Sequence, residues 1–312
     1  MPVVVAEYLG QRTDVDEVEI QPVEEGSEVQ CPFMAGYCSK VKKKLKPVCS
    51  VRKTDGTVWI TCQHRLCATM KGPLTNYQSG VLLDIARTVF HTSVKTHEVC
   101  VRREVRMAVN DGTDYNADYI MTLSSGRSPY PGPDRFVLEM QGGGETSQTG
   151  KITAHIALWE KAPLRTNELL RQPVPAGTIE TNAWRRQQEQ FIVKGNISMK
   201  TWKGYGIVFC VGAPLFDYLK NKLVDAKLPD LRSYNWTLAL VGFSEVNDGE
   251  QQSGPVPYKV DRERLLFTNY QTFVQALINQ GEPSLDAFSG TFMTLDGGLV
   301  QIPRDGVVEG RI

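Results

Sequence analysis

The chain has 312 residues, 41% of them hydrophobic and 22% charged, which is the balance of a globular chain and excludes a disordered or fibrous one. Lys+Arg and Asp+Glu each number 35, a formal net charge of zero, which argues against a freely scanning basic protein but leaves room for a local basic surface. There is no long apolar run, and the opening MPVVVAEYLGQRTD lacks the basic start and the apolar length of a secretory signal, so no membrane partner and a cytoplasmic location are expected.

Charge is segregated along the chain. Residues 14–28 carry Asp14, Asp16, Glu17, Glu19, Glu24, Glu25 and Glu28 with no lysine or arginine, and residues 1–30 read as an acidic, irregular arm. Residues 40–53 carry Lys40, Lys42, Lys43, Lys44, Lys46, Arg52 and Lys53 with no acid. Around that basic run stand Cys31, Cys38, Cys49 and Cys62, in CPFMAGYCSKVKKKLKPVCSVRKTDGTVWITCQHR. Four thiols in one short polar stretch, in a chain with no sign of secretion, point to a structural tetrahedral site for iron or zinc rather than to disulfides. The spacing C-x6-C-x10-C-x12-C is not a common zinc-finger spacing, and Cys67 and His64 are spare donors, so the choice of ligands stays open. Such a site supplies on the order of 10–16 kcal/mol of apparent binding free energy, enough to order the segment. Lys42, Lys43, Lys44 and Lys46 read either as a solvated loop or as contacts to DNA phosphates, which add salt-dependent affinity without reading sequence.

Val58 to Ile60 is a short strand running into Cys62. In residues 80–91, Val81, Leu82, Ile85, Ala86 and Val89 are spaced like one helix face. Strands follow at 99–109, 117–123 and 135–141, the last two separated by the Ser/Gly/Pro-rich loop 124–134. Helices are predicted over 151–161 and 180–194, a fully apolar central strand over Gly206–Val211, and a helix burying Leu215, Phe216, Leu219 and Leu223. A strand at 236–243 and a helix at 270–279 complete the reading. Cys100 and Cys210, in apolar runs, are expected to be buried thiols. Strands mixed with helices imply an α/β core.

In RFVLEMQ, residues alternate with period two, so Val137, Glu139 and Gln141 share one face. A hairpin across the 124–134 loop would set Asp118, which opens the preceding strand, beside Glu139. Two converging carboxylates form a hard oxygen site suited to Mg²⁺, which can bind a scissile phosphate and activate water. Glu104 is a third candidate, as a further metal ligand or as a partner of Arg102 and Arg106 on its own strand face. Arg185 and Arg186, beside Gln187, Gln188 and Gln190 on a helix, are residue types that read base edges, and also make an ordinary polar helix face.

Taken together, these residues resemble the NotI family of type II restriction endonucleases. The CPF opening at Cys31, the C-S-V at Cys49 and W-x-x-C-x-x-R from Trp59 to Arg65 look like that family's four-cysteine iron motif. Glu104 falls at the family's first active-site acid, Asp118 in NADYIMTL at its strand-opening aspartate, and FVLEMQ is similar to its V-L-E-I-Q strand, which carries over Glu139 and Gln141. With AWRRQQEQF and GYGIVFCVGAPLFDYL, the resemblance runs from about residue 5 to residue 225. It implies an α/β PD-(D/E)xK restriction-endonuclease-like core, a mixed central sheet flanked by helices, over residues 76–312, behind an N-terminal arm and four-cysteine metal-binding subdomain over residues 1–75. It also implies a homodimer that cuts double-stranded DNA at a GC-rich palindrome. In that scheme Asp118 and Glu139 hold Mg²⁺, Glu104 assists, and Gln141, in place of the usual lysine, orients water. The chain is shorter than the family pattern, and residues 124–134 and those after 230 do not align with it. Two other readings are a non-catalytic DNA-binding metalloprotein and a structure-specific repair nuclease.

Overall fold

The computed structural model describes residues 2–70, 72–108, 112–201, 205–223, 226–246, 253–279 and 288–304. The arm expected to be irregular begins with a buried strand. β1 (Val3–Tyr8), β2 (Gln11–Arg12), β3 (Val48–Lys53) and β4 (Val58–Ile60) form an antiparallel sheet in the order β2-β1-β3-β4, with one short helix, α1 (Ser39–Lys42), between β2 and β3. VVVAEY is almost wholly buried, so it lacks the alternation that marks a half-exposed strand, and its one acid, Glu7, is enclosed with the rest.

The next helix, α2 (Asn76–Val89), starts at a capping box: the Thr75 hydroxyl accepts the Gln78 N–H, and the Gln78 side chain accepts the Thr75 N–H. It buries Val81, Leu82, Ile85, Ala86 and Val89, the face its spacing predicts. The main sheet then opens with a meander of β5 (Val99–Ala108), β6 (Asp114–Leu123) and β7 (Arg135–Gln141). Val109, the last residue expected in the first of these strands, lies outside the described residues. After α3 (Thr149–Lys161) and the short α4 (Asn167–Leu170), the long α5 (Glu180–Lys200) crosses over to β8 (Gly206–Gly212), which runs parallel to β7. A second crossover, α6 (Ala213–Lys222), leads to β9 (Leu238–Glu245), parallel to β8, and then to antiparallel β10 (Tyr258–Thr268). The result is a six-stranded mixed sheet ordered β10-β9-β8-β7-β6-β5 and flanked by helices. α7 (Tyr270–Ile278) and a separate hairpin, β11 (Gly290–Met293) with β12 (Leu299–Ile302), follow.

The two sheet faces have separate cores. Ile207, Phe209 and Val211 of β8 pack with Trp184 and Phe191 of α5, while Val208 and Cys210 point to the core shared with α2. Residues before 75 enter both cores: Val3, Val5 and Tyr8 join the α5 side, and Val58, Ile60 and Leu66 the α2 side. Gly195 lets α5 approach α7, because a Cβ there would stand 2.2 Å from the Tyr270 ring.

Three local expectations change. β6 starts at Asp114, so Asp118 lies inside the strand and does not open it. Cys100 is exposed, because β5 is a sheet edge and Cys100 shares the outward register with Arg102, Glu104 and Arg106; Cys210 is buried as expected. The strand β10 was not predicted, since its centre, DRER, is charged and its buried positions cluster at its ends. Among the described residues no helix is long and apolar enough to cross a membrane.

Candidate active site

Register brings three acids into one row. β6 and β7 pair antiparallel with Tyr119 opposite Leu138, which sets Asp118 opposite Glu139. β5 and β6 pair with Arg103 opposite Tyr119 and Val105 opposite Ala117, which sets Glu104 across from Asp118 on the other side. Adjacent carboxylates across a ladder repel, so the row needs a counter-charge. Glu104 also has a left-handed backbone, φ 47°, rare for a non-glycine residue and unusual inside a strand. Such strain costs on the order of 1–3 kcal/mol and clusters at functional sites. Its carboxylate accepts from Thr69 Oγ1 at 3.1 Å, and Arg106 pairs with Asp114 instead.

The counter-charge comes from α5. Lys194 Nζ donates to Glu139 Oε2 at 2.6 Å, and both side chains are almost fully buried. The Met140 N–H donates to Asp118 Oδ2 at 2.8 Å, and the Asp118 N–H to Glu139 Oε1 at 3.4 Å, so the pair is tied across the ladder. Burial, with the neighbouring Asp118 charge adding to it, pushes the Glu139 carboxyl up to about 8 against the pull of Lys194. Burial also raises Asp118, with Glu104 adding to it, while the Met140 N–H and Lys194 oppose it. One lysine against these carboxylates leaves an excess of negative charge in a partly buried place, which is the environment a divalent cation fits.

Asp118, Glu139 and Lys194 line a cavity of about 270 Å³, and Glu104 meets it only through Thr69, which is part of the lining. Gln187, Gln190 and Lys194 reach it from one face of α5, and His64, Cys67 and Thr69 from the cysteine segment. Gln187 and Gln190 thus face the acids. Gln141 lines the cavity too, with its amide donating to the Gly143 carbonyl. Lys194 escaped the sequence reading. Its signal was present: it follows Phe191 by three residues on the helix face that carries Ala183, Trp184 and Phe191, where a lysine is out of place unless it is paired.

The four cysteines of the N-terminal stretch share one buried cluster with Phe33, Met34 and Val41. Burial raises the Cys31, Cys49 and Cys62 thiols, and each also feels the charge of another cysteine of the set. Cys67 belongs to the neighbouring core and contacts the Tyr119 hydroxyl at 3.4 Å, so it stands apart from the four. Among the described residues no group of three or more His, Cys, Asp or Glu side chains is closed up tightly enough to hold a metal ion. The donor chemistry nevertheless fits a soft cation, since buried neighbouring thiols are costly to ionise without one.

The cysteine segment touches the acid row through three glycines. Cβ atoms at Gly142 and Gly143 would come within 2.7 Å of the Ile60 side chain and 2.5 Å of the Ile60 carbonyl. The Gly144 N–H donates to Ile60 O at 3.0 Å, and Trp59 Nε1 donates to Gly144 O at 3.1 Å. β4, which leads into Cys62, is therefore clamped to the end of the strand that carries Glu139 and Gln141.

The charge segregation of the sequence is largely cancelled in space. Lys46 is held between Glu160 at 2.6 Å and Glu25 at 2.9 Å, and Lys42 pairs with Glu28 at 3.3 Å. Lys43 and Lys44 are exposed and carry no ion pair among the described residues. Arg186 pairs with Glu145 at 2.8 Å, and Arg185 is exposed. No family model matches the chain, and no curated protein matches it as a relative.

Proposed function

We propose that the chain is a metal-dependent DNA endonuclease built on a PD-(D/E)xK-type core. The observation that carries this reading is the row Glu104–Asp118–Glu139, across adjacent strands, with the buried Lys194 closing on Glu139. A buried, charge-unbalanced carboxylate pair costs folding stability, so it is hard to account for in a module that only binds.

In this reading Asp118 and Glu139 would hold Mg²⁺, which when bound supplies charge neutralisation at the scissile phosphate and a more acidic water. Glu104, held by Thr69, assists at the outer end of the row. Gln141 is neutral and can only orient a water through its amide. Lys194 supplies the positive charge that Gln141 lacks, and its bond to Oε2 fixes the rotamer of Glu139. Iron or zinc on Cys31, Cys38, Cys49 and Cys62 would rigidify the segment clamped to the catalytic strand. The homodimer and the GC-rich palindromic target rest on the sequence resemblance alone.

The test is incubation of the purified protein with a GC-rich phage genome, with and without Mg²⁺, followed by sequencing of the ends. Discrete Mg²⁺-dependent fragments sharing one palindrome are expected. A smear would replace site specificity by structure-directed cleavage, and intact unmethylated DNA containing the site would favour the binding module.

A further inference from the structure

A second cavity, of about 390 Å³, adjoins the catalytic one, and Gln63, Met140, Gln141 and Gln187 line both. One wall is the cysteine segment, with Lys40 and Lys43; the facing wall is the start of α5, with Asn182 and Arg186. Between them run Gly142 to Gly144, which present bare backbone. Three cations against one acid, Glu145, give the groove a positive balance. The first turns of a 21-residue helix add the positive end of its dipole.

The cations are engaged differently. Lys40 donates to the Val48 carbonyl beside Cys49 and belongs to the architecture. Lys43 is exposed and makes no ion pair among the described residues. Arg186 is paired with Glu145, but both side chains are more than half exposed, at 64% and 51%. An exposed pair of this kind is worth about 0–1 kcal/mol, so it can be exchanged at little cost. A phosphodiester, like a carboxylate, offers the guanidinium two anionic oxygens that it can bind side by side.

We propose that this groove is a backbone-phosphate subsite leading DNA into the catalytic cavity, with Glu145 as a stand-in for the phosphate. Glu145 occupies Arg186 in the free protein and yields it to a phosphodiester, while Lys43 contacts a phosphate from the opposite wall. The inference rests on the nuclease reading and adds to it the path of the substrate.

The experiment is fluorescence anisotropy of a labelled duplex with randomised sequence, titrated without divalent metal at several salt concentrations. Glu145→Gln is expected to tighten binding about threefold to fivefold, because it frees Arg186 and removes a repelling charge. Arg186→Ala and Lys43→Ala are each expected to weaken binding and to flatten the salt dependence by about one unit of slope. Glu145→Gln in the Arg186→Ala background should lose most of its gain, and Lys220→Ala on α6 should change neither affinity nor slope. A gain of affinity cannot come from a damaged fold. Duplex binding by the unmodified protein with unchanged or weaker binding by Glu145→Gln would overturn the groove alone. Absence of any duplex binding at low salt would overturn the nuclease reading and the groove with it.

Discussion

Two ion pairs are buried among the described residues, and they are built to opposite ends. Glu7 and Arg65 are both fully enclosed, and every direction around them is filled. Arg65 Nε donates to both Glu7 oxygens, at 2.9 and 2.8 Å, and its other nitrogens donate to the Tyr77 hydroxyl and the Val256 carbonyl. The Ser50 hydroxyl and the Val256 N–H complete Glu7, and the rings of Phe33, Tyr77 and Tyr258 surround the guanidinium. Burial alone would lower the Arg65 pKa; the charge and hydrogen bond of Glu7, with Tyr77 and Cys49 adding to them, together outweigh it and raise it. Glu139 and Lys194 line a cavity instead, with Asp118 adding a second carboxylate that the lysine does not balance. A saturated pair ties β1 to the cysteine segment; an unsaturated one has capacity left for a ligand.

The comparison breaks first on chemistry. Glu139→Ala or Asp118→Ala is expected to lower DNA cleavage by about 1000-fold or more, as loss of charge stabilisation at a reacting centre does. Gel-shift affinity for the same DNA should stay within a few fold; cleavage retained by either variant removes that residue from the mechanism. Glu7→Gln acts on the fold and should cost about 3–5 kcal/mol in denaturant unfolding, because an arginine cannot lose its proton when its partner goes.

Lys194→Met sharpens the contrast, since the carboxyl it leaves behind can take up a proton. Its expected unfolding cost is about 1–2 kcal/mol, smaller than that of Glu7→Gln, with cleavage down roughly 100-fold. Equal stability losses at Lys194 and Glu7 would show that the two pairs are of one kind. Gly143→Ala tests the clamp between the regions: a Cβ 2.5 Å from the Ile60 carbonyl should cost about 1–3 kcal/mol and lower cleavage without touching a charged group. The smallest effect on stability is expected for the double variant Glu139→Gln with Lys194→Met. Removing both charges together should leave the unfolding free energy within about 1 kcal/mol of that of the unmodified protein, while cleavage is lost.

Much of the local structure was legible. The face of α2, the alternation in β7 that sets Glu139 and Gln141 on one side, and the all-apolar β8 follow from side-chain spacing within a single element. The loop between β6 and β7 announced itself by composition, and with it the meeting of Asp118 and Glu139. β1 was hidden because a strand covered on both faces does not alternate, and its acid disguised it as part of a charged arm. The burial of Cys100 was misjudged because periodicity does not say which strand stands at the edge of a sheet.

The sequence by itself determined which residues could form elements and which few polar groups would sit on apolar faces, because those properties repeat at 3.6 or two residues along one segment. Only the tertiary structure decided who neutralises whom. Lys194 lies 55 residues from Glu139, Arg65 lies 58 from Glu7, and Lys46 lies 114 from Glu160. A charge pair joined across such distances leaves no periodic mark, since its partner is chosen by strand register and helix packing and by the cost of burying either charge alone.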